Sequence, residues 1–420
     1  MSTGARLEQW VVIAGVFLAN FLDLRHPAFN FTYSDVLFCV SLVLLIMGGK
    51  LPKSPWHSMT TVWYLFFCLF LGAMILSSIV SGDPLRALAI IVQYTFAYLV
   101  LPFILMGRGP QTSIQLLRVF VSSMVAVCLI GLWFLYFTET KEILGHALIS
   151  GSNRLASTLG NANALAAMIA LTFPVVLYLM VTHELSIFLA LPTVIVLGTA
   201  LVATSSVSGL ATSLLGVVTF LLCSGSLGGW RRIAGGLSAA AVLAALFMWW
   251  GGGQLPPTFE RRVLEPLRTG NLDDLGTYSA RMNLMEEAIE RLDDTLLLGI
   301  GADQFRTESE FEAPVHNVYL LLWVESGLPA LIGWLGLFAT VFALAGRAGL
   351  TPATRHAGAL GISITLLFCV VAFNSAHMYA RFRVVPLFLA MGVMLAASEQ
   401  DQRRRAQLVD RPAEPIPARA

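Results

Sequence analysis

His316, followed by Asn317, closes a polar, acid-rich stretch and opens an apolar one, in Val315-His316-Asn317-Val318-Tyr319-Leu320. Imidazole has an ordinary pKa of about 6.5, so it takes up or releases a proton near neutral pH. At the boundary between a water-exposed loop and a lipid-embedded segment, it is a suitable acceptor for the proton of a hydroxyl held at the membrane surface. Arginines supply the complementary chemistry, binding of anions. Arg154 lies in Ser152-Asn153-Arg154-Leu155-Ala156-Ser157-Thr158-Leu159-Gly160-Asn161-Ala162-Asn163, just before an apolar run. Beside Asn161 and Asn163 at a helix start, its guanidinium fork and the free backbone amides can together hold a phosphate. The alternative is an interfacial arginine reaching to lipid headgroups.

Arg281 falls in the first turn of a polar helix, where a cation opposes the helix dipole unless an anion is near. A surface ion pair with Glu265 or Asp274 is the competing reading. Arg381 and Arg383 follow Asn374-Ser375-Ala376-His377 in a short outer turn, against the usual distribution of basic residues. They suit an outward-facing anion site, or anchorage on lipid phosphates. Arg261, Arg262, Arg268, Arg291 and Arg306 read as ordinary solvated charges, and His26, His57, His146, His183 and His356 as connection residues. Glu325 lies nine residues after His316, so on one continuous helix the two point apart; a helix-end or packing role fits it better than catalysis. Asp273-Asp274 and Asp293-Asp294 lack metal-ligand spacing and read as loop solubility, so no metal site is expected.

The elements that must position these groups are membrane spans. Of 420 residues 57% are hydrophobic and 12% charged, against about 25% charged in soluble proteins. Apolar runs of nearly bilayer length fall at 8–24, 34–49, 60–80, 87–106, 117–137, 161–182, 185–203, 206–224, 232–250, 328–346, 356–374 and 384–398. The expected architecture is therefore an all-α, polytopic membrane helix bundle with about twelve transmembrane helices. Lys50, Lys53, Arg108, Arg118, Arg231, Arg232, Arg347 and Arg355, with Arg403, Arg404 and Arg405 in the tail, put both termini in the cytoplasm. The first run has no small-residue cleavage site after it and reads as a retained span. Cys39, Cys68, Cys128, Cys223 and Cys369 all sit in apolar runs, which favours neither disulfides nor zinc.

Four regions follow: spans one to nine in 1–250, a large periplasmic loop at 251–314, a periplasmic-edge helix with spans ten to twelve in 315–398, and a disordered cytoplasmic tail at 399–420. The loop holds 13 of the 25 Asp and Glu residues, six Arg and no Lys. Within it Ser279 is placed to cap an amphipathic helix to about Leu297, with Met282, Met285, Ile289, Leu292 and Leu296 on its apolar face. A second short helix is expected from His316 to Glu325, parted from the next span by Gly327-Leu328-Pro329.

Over about residues 150–330 the chain resembles the O-antigen ligase and O-antigen polymerase superfamily. The resemblance is carried by Arg154-Leu155, Leu159-Gly160-Asn161-Ala162-Asn163, Ser279-Ala280-Arg281, Leu298-Gly299-Ile300-Gly301 through Phe305, and His316-Asn317-x-x-Leu320 leading to Glu325-x-Gly327-Leu328. It departs at Thr204-Ser205-Ser206-Val207-Ser208-Gly209, where the family often carries Ser-Arg-Gly and this chain has no arginine. What the resemblance implies is a GT-C-like enzyme of the bacterial inner membrane with a periplasm-facing active site and no cofactor. It would move a glycan from undecaprenyl pyrophosphate to a sugar hydroxyl of lipid A–core or another acceptor, without metal and with inversion. His316 and Arg281 would be catalytic; Arg154, Asn161, Asn163, Asn317, Arg381 and Arg383 would hold the pyrophosphate or glycan. Membrane lipids are expected partners and nucleic acid is not. A repeat-unit polymerase of the same superfamily is the nearest alternative. A small-anion transporter is a more distant one, as charges lie at span ends and no paired halves are visible. An inactive scaffold would leave the placement of His316 unexplained.

Overall fold

The computed structural model describes residues 3–22, 31–143, 145–225, 257–269 and 278–409. In chain order its elements are α1 (Thr3–Leu18), α2 (Tyr33–Met47), α3 (Thr60–Val80), α4 (Pro84–Leu105), α5 (Pro110–Phe137), β1 (Glu142–Ile143), β2 (His146–Ala147), α6 (Ala162–Val181), α7 (Ile187–Thr204) and α8 (Val207–Ser224). Then come α9 (257–269), α10 (Tyr278–Glu290), α11 (Phe305–Glu308), α12 (Val318–Leu350), α13 (Arg355–Ala372) and α14 (Arg381–Val409). Among the described residues nine helices, α3 to α8 and α12 to α14, are long and apolar enough to cross a membrane. The protein is an all-α polytopic membrane protein. The runs expected at 8–24 and 34–49 are the shorter helices α1 and α2, of 16 and 15 residues. The run at 232–250, Arg231 and Arg232, Asp273-Asp274 and residues 410–420 lie outside the described residues.

Close backbone approach organises the bundle, as expected where lipid removes the hydrophobic drive between helices. A methyl group at Gly333 of α12 would stand 2.5 Å from the Phe70 nitrogen of α3, and one at Gly336 2.2 Å from the Phe66 ring. Gly209 of α8 approaches Ala166 of α6 in the same way, at 2.4 Å. Helix α6 is buried along nearly its whole length and forms the centre. Arg108 pairs with Glu8 at 2.6 Å and ties α1 to the end of α4.

The loop is anchored to a break in α12. Gly327 has φ +80° and ψ 167°, so Val318–Ser326 and the rest of α12 are separate helices, as the Gly-Leu-Pro sequence predicts. The returning loop pairs with this break: Ile300 N donates to Val324 O (3.0 Å), Gly301 N to Glu325 O (2.8 Å), and Leu328 N to Leu296 O (3.0 Å). The approach leaves no room for side chains. A Cβ on Gly299 would lie 2.1 Å from the Glu325 carbonyl carbon, and one on Gly327 2.4 Å from Leu297 O.

Two expectations need correction. The loop helix ends at Glu290, not Leu297. Beyond it, tighter turns such as Leu292 N to Ile289 O (3.1 Å) replace helical bonds, because 296–301 must run alongside 324–328. The acidic Asp293-Asp294 pair is also unfavourable at a helix C-terminus. Its buried stripe is Leu284 and Ala288 with Met285 and Leu292, whereas Met282, Ile289 and Leu296 are exposed. Likewise, α14 does not stop before Gln400 but continues to Val409. Pairs Glu399–Arg403 (3.6 Å) and Asp401–Arg405 (2.8 Å), each four residues apart, support that extension.

Candidate active site

Arg154 is placed by a turn that docks on the end of a helix. Ser150 N donates to Arg154 O at 2.9 Å, and Leu155 N donates to Ala203 O at 3.0 Å. Ala203 and Thr204 belong to the last turn of α7, whose carbonyls lack partners within the helix. Arg154 Nε donates to Thr204 O (2.7 Å), and Nη2 donates to Asn163 Oδ1 (2.7 Å). A cation at a helix C-terminus is well placed electrostatically. Asn163 Oδ1 also accepts from Ser206 Oγ (3.1 Å), the residue that caps α8. The guanidinium therefore stands against the Thr204–Gly209 stretch, where the expected arginine is missing.

Arg281 and His316 are held by one small core. Leu284 and Ala288 of α10 pack with Phe305, Val315, Leu321 and Val324. Arg281 lies one turn before Leu284 on the same helix face, which directs it inward. His316 follows Val315 directly. Its Nδ1 lies 3.1 Å from Pro314 O. A carbonyl only accepts, so Nδ1 carries the hydrogen and Nε2 is left as the basic nitrogen. Burial and then the Arg281 charge hold the imidazole below its ordinary pKa, with a smaller contribution from Arg383.

Two cavities meet here. One of about 310 Å³ is lined by Arg154, Arg262, Arg281, His316, Asn163 and Ser206, with Met282, Met285 and Phe373 adding an apolar edge. The other, about 370 Å³, runs from Asn161, Asn163, Arg281 and His316 to His377, Tyr379 and Arg383. Among the described residues neither is lined by an Asp or Glu. Three mutually repelling guanidiniums face the first. Burial, then Arg262 and Arg281, lowers Arg154 to about 10; burial, then Arg262, lowers Arg281. Such a cluster is most favourable with an anion in its midst.

Arg262 was misread as a solvated charge. Thr258, one turn earlier in α9, lies 3.3 Å from Ser205 Oγ through its hydroxyl, and this contact turns the helix towards the cavity. The spacing from Pro257 offered no signal of it. His377, half-buried at the far wall, was also missed; its partial burial lowers it to about 4.

The remaining expected residues divide. Asn161 lines the larger cavity, while its Oδ1 caps α6 by accepting from Asn163 N (2.9 Å) and Ala164 N (3.1 Å). Asn317 lines neither cavity. Its Oδ1 caps α12 by accepting from Tyr319 N (3.0 Å) and Leu320 N (3.3 Å), which fixes the backbone beside His316. Arg381 also lines neither, because it pairs with Asp35 and donates to Gln93. Arg383 does line the larger one. Glu325 is buried and its Oε1 accepts from Phe305 N at 3.3 Å, a packing role. Among the described residues no group of three or more His, Cys, Asp or Glu side chains is arranged to hold a metal ion.

No curated protein matches the chain. Residues 192–335 match the family described as O-antigen ligase. The matched stretch contains α8, Arg262, Arg281 and His316, while Arg154, Asn163, His377 and Arg383 join the cavities from outside it. That stretch, about a third of an all-α polytopic chain, is thus similar to the O-antigen ligase family.

Proposed function

We propose that this protein is a glycosyltransferase of the O-antigen ligase type, which transfers a glycan from undecaprenyl pyrophosphate to a sugar hydroxyl of lipid A–core or a related acceptor. The observation that carries the reading is a single cavity lined by Arg154, Arg281 and His316, which are remote from one another in the chain. The acceptor hydroxyl oxygen attacks the anomeric carbon while its proton passes to Nε2 of His316. The bond from that carbon to the pyrophosphate oxygen breaks, and the electron pair leaves with the polyprenyl pyrophosphate. Arg154, Arg281 and Arg262 stabilise the charge that develops there. A single displacement inverts the configuration at the reacting carbon. Guanidinium groups supply all the positive charge the step requires, so the reaction is metal-independent. The site faces the periplasm from the inner membrane with both termini in the cytoplasm, an orientation supported by the distribution of Lys and Arg. The apolar edge formed by Phe373, Met282 and Met285 suits the first isoprene units.

The test is transfer by purified protein from a lipid-pyrophosphate glycan to defined acceptors in the presence of a chelator. Glycan appearing on lipid A–core, lost in His316→Ala, supports the ligase. Transfer only onto a second lipid-pyrophosphate glycan identifies a repeat-unit polymerase instead. Chelator-sensitive transfer would remove the metal-independent mechanism.

A further inference from the structure

The two cavities share Arg281, His316, Asn163, Ser208 and Asn374 and diverge from there. One lobe ends at Arg154 and Arg262; the other ends at His377, Tyr379 and Arg383. At this far end two arginines, two positions apart in α14, have different surroundings. Arg381 is neutralised by Asp35 and lies 5.0 Å from the Phe96 ring centroid. Arg383 makes no ion pair among the described residues. Its Nη1 donates to His377 O at 3.1 Å and contacts the Met378 sulfur at 3.5 Å, and its guanidinium lies 5.3 Å from the Phe382 ring centroid. Its Nε is buried without a partner, and so is Nδ1 of His377 on the same wall. A half-buried cation that meets a carbonyl, a sulfur and aromatic groups, and no carboxylate among the described residues, is poorly compensated. An anionic ligand would compensate it.

The geometry of displacement says which substrate this is. The attacking hydroxyl must approach the anomeric carbon from the side opposite the departing pyrophosphate. With the diphosphate among Arg154, Arg262 and Arg281, the acceptor enters from the other lobe, and His316 stands where the two meet. We infer that the lobe ending at Arg383, His377 and Tyr379 is the acceptor subsite, and that Arg383 selects an acceptor bearing an anionic group, either a sugar phosphate or a sugar carboxylate. This rests on the transferase reading above.

The experiment uses the full-length protein in lipid nanodiscs, one lipid-pyrophosphate glycan donor, and three glycolipid acceptors that share a sugar skeleton and carry a phosphate, a carboxylate or neither. A charge-assisted contact predicts an acceptor KM at least about tenfold lower for an acidic acceptor than for the neutral one. Preference for only one of the acidic pair names the source of the anion. Arg383→Gln is expected to bring that KM ratio to near unity, and Arg383→Lys, which keeps the charge, to retain most of it. Equal KM values for all three acceptors with the unmodified protein would overturn the inference, whether or not the variants fold. So would an Arg383→Gln protein that raises the donor KM and leaves the acceptor ratio intact. Transfer to none of the acceptors would instead count against the transferase reading. Direct binding of the three glycolipids without donor then decides the subsite: tighter binding of the acidic pair supports it, and equal binding overturns it.

Discussion

Nη2 of Arg154 donates to Oδ1 of Asn163 at 2.7 Å while Nε of the same guanidinium holds the carbonyl of Thr204, also at 2.7 Å. One side chain thus joins the turn before α6, the start of α6 and the end of α7. A lysine ammonium cannot make two fixed, diverging contacts of this kind. Arg154→Lys is expected to lower kcat/KM for the donor by about tenfold or more, the loss associated with one charge-assisted hydrogen bond. Asn163→Asp should do the same by placing a carboxylate among the guanidiniums, and Arg262→Gln should raise the donor KM. Donor-dependent kinetics on purified protein check all three, and an Arg262→Gln protein with unchanged donor KM would return that residue to the solvated surface.

His316→Ala is expected to cost about 10²–10⁴-fold in transfer rate, the usual contribution of a general base, with membrane insertion intact. The pH profile gives a second reading. Burial and Arg281 lower the His316 pKa, so the basic, neutral ring persists below pH 6.5. Activity should rise with pH along an acidic limb that lies below that value. Removing a neighbouring cation raises the pKa, so the residual activity of Arg281→Gln should have its acidic limb at higher pH. A limb that moves to lower pH, or does not move, would remove the electrostatic link between the two residues.

Arg381 and Asp35 are both buried, and their pairing fastens α14 to α2. Truncating one member of such a pair costs about 3–5 kcal/mol because the other charge is left buried. Arg381→Gln should therefore melt at a markedly lower temperature, and the double variant Arg381→Gln/Asp35→Asn should recover much of the loss. Thermal unfolding of the purified proteins tests this; a single variant as stable as the parent would show that the pair is dispensable.

Gly327→Ala places a Cβ 2.4 Å from Leu297 O at a residue with φ +80°. The backbone conformation alone costs about 1–3 kcal/mol for a non-glycine residue, and the contact adds to it. Reduced thermal stability and lost transfer should occur together, since the break in α12 holds both the returning loop and the short helix that follows His316. Proteolysis of the loop under native conditions would report its release: faster cleavage in the variant is the expected outcome.

Much of this was legible in the amino-acid order because lipid imposes a strong local rule. Spans must be apolar over a set length, so nine of the expected runs coincide with long helices, and Gly327-Leu328-Pro329 marked the break in α12. His316 could be found because it lies at a compositional boundary. The capping roles of Asn161 and Asn317 are visible as helix starts, but an amide before a helix can also face a ligand, and only the fold shows that Asn161 lines a cavity while Asn317 does not. Which cations meet was not legible. Arg262 is as polar in its sequence surroundings as Arg261, and the docking of its helix, with Thr258 against Ser205, is what brings it to the cavity that Arg154 lines. Arg381 and Arg383 look equivalent in the chain, but Asp35, 346 residues away, neutralises the first and leaves the second facing a cavity. Helix length and burial period arise from near neighbours along the chain; charge compensation depends on partners brought close in space, so only the folded bundle decided which arginines remain available for an anion.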